Sequence, residues 1–193
     1  MLGAAVVSAA LAGCTSNPVQ PTPQVSTTAP VEAEPTANTE PDPVTPSPTA
    51  TQDPGIPVTL TCDQLISPEQ LYDYNPNVGV NPAYQAETGT TASKIVSQQG
   101  VACGWSNQTS NETIEIAVAH LSPAAIETLK NSLVTTSNPV PTYGDEAYFS
   151  VTNGLGEANV FQGDFWIYTR STSFIEPGDA APLMDDVLAS LGA

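Results

Sequence analysis

Among the residue types that carry out chemistry, this sequence is rich in carboxylates and hydroxyls and poor in imidazole, thiol and cationic groups. It holds 20 Asp and Glu against one histidine, three cysteines and three Lys and Arg together. A Ser-His-Asp arrangement needs an imidazole as general base, and His120 stands alone at the end of a strand-like stretch, where it reads as an ordinary strand-end residue. No Gly-x-Ser-x-Gly elbow and no Gly-x-x-x-x-Gly-Lys-Ser/Thr loop occurs, so neither an α/β-hydrolase nor an ATPase is supported. Gly154-Leu155-Gly156 lacks the third glycine and the following helix of a dinucleotide fingerprint, and a hairpin turn explains it. The carboxylate pairs Asp145-Glu146 and Asp185-Asp186 raise the question of glycoside hydrolysis. Residues adjacent in sequence point apart on strand or helix, however, and these read as solvated surface charges. Cys62, Cys103 and His120 are too few soft ligands for a zinc site. Asp63, Asp73, Asp145 and Glu146 offer oxygen, but no Asp-x-Asp-x-Asp-Gly calcium loop exists. No catalytic residue, metal or cofactor is expected.

Charge narrows the partners. The formal net charge is -17. Beyond Val58 there are 15 carboxylates against Lys94, Lys130 and Arg170, which leaves that part near -12. Nucleic-acid binding requires a stripe of cations that displaces counterions, so it is excluded. Aromatic residues are the best remaining hint. Alternation near the C-terminus puts Phe165, Ile167 and Thr169 on one face and Trp166, Tyr168 and Arg170 on the other. The second set, if uncovered, would form a recognition surface, and a helix laid over it is the competing arrangement.

The elements that must position these side chains occupy only part of the chain. Between Thr15 and Pro57 lie 11 of the 19 prolines and few large aliphatic residues, a composition that cannot offset chain entropy by burial. This disordered tether, residues 15–57, would span ~130 Å as polyproline II and about 35 Å as flexible coil. Residues 58–193 have the length of one domain. A helix is expected near Ser67 to Tyr74, with Ser67 as N-cap and Pro68 at the first position. Asn75 to Thr91 reads as a long loop. Strands follow at Gly100 to Ser106 and Thr113 to Leu121, the second alternating Ile114, Ile116 and Val118 with Glu115, Ala117 and Ala119, as one buried and one wet face. A helix opens at Ser122-Pro123 and runs to about Val134. After turn signals between Asn138 and Gly144 come strands near Glu146 to Thr152, Glu157 to Gln162 and Asp164 to Arg170, then a helix from Asp179 to Leu191. Hairpin strands with occasional helices predict an α+β domain with an antiparallel sheet of about five strands and helices packed mainly on one face.

The cysteines place the chain in the cell. Residues 1–14 carry a short apolar run, Leu2 to Ala12, too short for the ~20 residues that span a bilayer. It ends in Leu11-Ala12-Gly13-Cys14, which resembles the bacterial lipobox. That resemblance implies cleavage before Cys14 and a diacylglyceryl thioether on its sulfur, with acyl chains such as palmitate holding the protein at the outer face of the cytoplasmic membrane. A positively charged start is expected upstream of Met1. In an exported protein Cys62 and Cys103, the two cysteines of the domain, read as a disulfide.

A cysteine before the first helix, a second in Cys103-Gly104-Trp105, then Asp145-Glu146-Ala147-Tyr148, Gly163-Asp164-Phe165-Trp166 and a terminal helix together resemble small actinobacterial secreted lipoproteins of unknown function. The resemblance implies location and architecture, not an activity. The expected function is a non-catalytic, membrane-anchored module that binds a protein, glycan or small ligand of the envelope. An accessory or solute-capturing component of an ABC-type uptake system, for iron among other solutes, is one alternative. A small hydrolase working through carboxylates is another.

Overall fold

Short capped helices and short strands build the domain, and each begins where the local chemistry starts it. The computed structural model describes residues 54–192. Cys14, the expected signal segment and most of the expected tether lie outside them. The first helix, α1 (Cys62–Leu65), leads through Ser67 into α2 (Pro68–Tyr74). There Ser67 accepts a hydrogen bond from the Gln70 amide while the Gln70 side chain returns to the Ser67 N–H, so two otherwise orphaned donors are satisfied. β1 (Val78–Val80) and α3 (Thr91–Ser97) follow, the latter capped by Thr90 on the Ser93 amide. Then come β2 (Val101–Asn107), β3 (Thr113–His120), α4 (Pro123–Leu133), β4 (Asn138–Val140), β5 (Glu146–Thr152), β6 (Leu155–Gln162), β7 (Phe165–Ser171) and α5 (Pro177–Ser190).

The sheet has seven strands in the order β1-β2-β3-β7-β6-β5-β4, and every pair is antiparallel. The sequence led us to expect about five. The two additional strands, β1 and β4, are the edge strands, three residues each, too short for alternation to register. Pro139 in β4 has no N–H to offer, which suits a strand paired on one side only. Central β7 joins the β2–β3 hairpin to the β5–β6–β7 meander.

Helices cover both faces, where the sequence led us to expect them mainly on one. On the first face α1, α2 and α5 bury Leu65, Leu71, Leu183, Met184 and Val187 against Ile116, Val118, Val160 and Ile167. On the second, α3 and α4 set Ala92, Ile95 and Ile126 against Ala117, Ala119, Phe161 and Trp166. The face of β3 expected to be wet is therefore covered: Glu115, Ala117 and Ala119 are all buried. Alanine alternating with isoleucine marks a sheet surface that a helix approaches closely, rather than one that faces water.

Two covalent and steric details fix the register of the first half. Cys62 and Cys103 are joined in a disulfide with Cα atoms 5.6 Å apart. Closing a loop of that size in the unfolded chain stabilises by ~4 kcal/mol. Beside it, a Cβ on Gly104 would stand 2.3 Å from the Tyr84 ring, so only glycine lets that ring lie against β2. The chain entering the domain is also tied down. Ile56 N–H donates to the His120 carbonyl, Val58 N–H to the Gln99 carbonyl and the Gln99 side chain to the Gly55 carbonyl, which places residues 55–57 against the domain.

Candidate functional site: a polar groove between α3 and α4

The second sheet face carries its polar groups in rows set by strand register. Gly104, Glu115, Arg170, Glu157 and Ser150 are successive cross-strand neighbours from β2 to β5. The next row, Ala102, Ala117, Tyr168, Asn159 and Tyr148, is aromatic and amide. Because α3 packs over β2 and β3 and α4 over the other half, a groove of about 360 Å³ is left between them. Its floor is Trp166, Asn159, Glu157 and Ser150, and Lys94 of α3 and Leu129 of α4 stand on its walls.

Two polar groups of the floor, Asn159 and Glu157, are each held by an aromatic partner. The Trp166 indole N–H donates to Asn159 Oδ1 at 3.0 Å, a buried bond. The Tyr168 hydroxyl donates to Glu157 Oε1 at 2.8 Å. Asn159 keeps its amide N–H₂ free and Glu157 its second oxygen, while Ser150 and Lys94 make no side-chain hydrogen bond among the described residues. Held at one atom and open at the other, Asn159 and Glu157 are oriented before any ligand arrives.

Next to the groove lies a buried charge pair. Arg170 Nε stands 3.0 Å from Oε1 of Glu115, a carboxylate only 5% exposed. Its N–H does not aim at that oxygen, which has no directed hydrogen bond, so the pairing is Coulombic. The other oxygen accepts the Tyr84 hydroxyl at 2.6 Å. Burial and then the bond to Glu115 raise the Tyr84 hydroxyl, and burial and then the bond to Glu157 raise that of Tyr168. Burial works against the Arg170 charge, but Glu115 and the neighbouring acidic groups outweigh it and raise the guanidinium. Beyond α4, Lys130 pairs with Glu146 at 3.1 Å and lies over the Phe161 ring. Glu146 also accepts the Tyr148 hydroxyl, the leading reason its carboxyl is held below the usual range.

The stripe Trp166, Tyr168 and Arg170 is not an open recognition surface. Trp166 and Tyr168 are buried under α3 and α4 and Arg170 is half-buried, because the helices claim the widest apolar rings on that face. A strip of Trp166 alone lines the groove. The sequence signal for the missed residues Glu157 and Asn159 was their alternation with Ala158 and Val160, which puts them on the face of Trp166. Lys94 sits on α3, seven residues that carry no long apolar stripe to mark them in the sequence.

A larger cleft of about 710 Å³ lies between α2 and α5, lined by Asp73, Asp179, Asp185 and Asp186. Two of these carboxylates are committed to structure. Asp179 accepts the amides of Ile175 and Glu176, and Asp186 accepts the Gln70 side chain. Of the other sequence pair, Asp145 accepts the Gly163 amide in a turn and Glu146 is held by Lys130 and Tyr148. His120 lies against Phe165 with ring centres 4.7 Å apart. Among the described residues no three His, Cys, Asp or Glu are placed to hold a metal ion, and no helix is long and apolar enough to cross a membrane. No family model, curated protein or solved structure matches the chain.

Proposed function

We propose that this chain is a lipid-anchored envelope protein of the actinobacterial type, in which a tether carries a non-catalytic binding domain outward from the membrane and the α3/α4 groove takes the ligand. The observation that carries the binding reading is the pre-oriented floor, where Asn159 and Glu157 are each pinned at one atom by an aromatic donor and open at the other. The anchoring reading rests on Leu11-Ala12-Gly13-Cys14 and the Pro/Thr segment after it. The Cys62–Cys103 disulfide supports an oxidising surrounding. A carboxylate hydrolase would draw on the α2/α5 cleft, but Asp179 and Asp186 are spent on a helix cap and a helix–helix bond. A solute-capture role would use the same α3/α4 groove, and ligand identity separates it from wall binding.

The test of anchoring is fractionation of cells grown with labelled palmitate. The native chain partitions with membranes and carries label on its N-terminal peptide, and the Cys14→Ala form is unlabelled and released. An unmodified Cys14 thiol in the mature protein refutes the anchor.

A further inference from the structure

We propose that the α3/α4 groove binds a neutral, hydroxyl-rich ligand, a short glycan segment, with hydroxyl groups shared among Asn159, Glu157, Ser150 and Lys94 and a C–H face against Leu129 and the strip of Trp166. The inference rests on the reading of this groove as the binding site. Charge selects the ligand class. The domain is strongly acidic, yet the groove holds one cation, Lys94, and one anion, Glu157. A compact anion meets Glu157 and the net negative field of the domain, and a compact cation meets Lys94. A hydroxyl both donates and accepts, so it satisfies the free Glu157 oxygen as donor and the Lys94 ammonium and the Asn159 amide N–H₂ as acceptor. Apolar ligands fare worse, because they would strip water from these groups and return no hydrogen bond.

Size and shape agree with this choice. At about 360 Å³ the groove sits near the lower end of the roughly 300–1,000 Å³ of small-molecule sites. Its mixture of an aromatic strip, leucine and hydroxyl or amide groups matches the two sides of a sugar ring, one of C–H bonds and one of hydroxyls. The fixed floor also lowers the entropy lost on binding, since Asn159 and Glu157 are already held by Trp166 and Tyr168.

The experiment is a two-dimensional NMR titration of the full chain with the disulfide intact. Mannotriose and the N-acetylglucosamine trimer serve as neutral probes, and spermine and citrate as charged ones. The expected result is a saturable shift of the Trp166 indole and Asn159 side-chain amide signals with at least one neutral probe, with the Trp105 indole unmoved on the opposite sheet face. Ser150→Phe, which fills the groove from a half-buried position, and Lys94→Met, on the groove wall, each weaken that binding at least tenfold. Ser150→Phe is judged only if its remaining spectrum keeps the native dispersion, and Lys94→Met carries the test otherwise. Shifts of Trp166 and Asn159 with spermine or citrate but not with the sugars overturn the ligand class and leave the groove as a site. Sugar-induced shifts confined to the Gln70 amide in the α2/α5 cleft overturn both. No shift with any of the four probes overturns the glycan inference.

Discussion

Removing the guanidinium of Arg170 tests whether the charge row across the sheet is a working part of the fold. In Arg170→Met the aliphatic stem is kept and the charge is lost, so Glu115, 5% exposed, keeps only the Tyr84 hydroxyl. Breaking a fully buried pair from one side costs ~3–5 kcal/mol because the surviving charge stays out of water. Arg170 is a quarter exposed and Glu115 retains one strong acceptor bond, so we place the loss at about 2–3 kcal/mol. With a urea slope of about 1–3 kcal/mol per molar, the unfolding midpoint falls by about 1 M. The assay is urea unfolding of the oxidised protein for Arg170→Met, Glu115→Gln and the double variant. Removing both charges costs less than the sum of the singles, with a coupling of about 1–3 kcal/mol. Added salt leaves the deficit almost unchanged, since ions do not reach a pair this buried. A loss below about 0.5 kcal/mol in Arg170→Met, the level of an ordinary surface change, or strictly additive singles, refutes the reasoning.

The steric role of Gly104 and the tyrosine hydroxyls lead to two further expectations. Gly104→Ala drives the Tyr84 ring off β2 and removes its bond to Glu115, destabilising by about 1–3 kcal/mol. Adding Tyr84→Ala to Gly104→Ala costs little more, and a full further loss shows that the contact was not what glycine protected. Alkaline pH unfolds the domain in one step with tyrosine ionisation. Burial pushes the Tyr143 hydroxyl up to about 12, and the bond to Glu146 pushes Tyr148 to about 12, from an ordinary 10.0. Since the folded state holds these protons more tightly, their stabilisation is complete below pH 10 and is lost as pH rises toward 12. Tyrosinate absorbance and loss of sheet circular dichroism therefore rise together in that window, and ionisation that completes while the sheet persists contradicts the assignment.

The local chemistry of this chain was legible residue by residue. Ser67-Pro68 and Ser122-Pro123 started helices where they stand, because an N-cap acceptor and a proline at the first position act within one turn. Strands β2, β3, β5, β6 and β7 were found through alternation and turn glycines, and the Cys62–Cys103 bond through the even pair of cysteines in a domain expected to be exported. Helix α3 escaped because Thr91–Ser97 is seven residues with Thr, Ile and Val, weak helix formers, and its cap at Thr90 leads into no long apolar stripe. β1 and β4 escaped because three residues show no period.

From the sequence alone came the α+β class and, for the five strands it marked, the face on which each residue points, since period-two geometry is a property of the local backbone. Tertiary structure decided what stands opposite each face. Burial depends on where α3 and α4 come to lie, and no local pattern encodes that. Only the packed arrangement turned a suspected open Trp166-Tyr168-Arg170 stripe into a covered floor, paired Arg170 with Glu115 across two strands, and left Asn159 and Glu157 facing a groove.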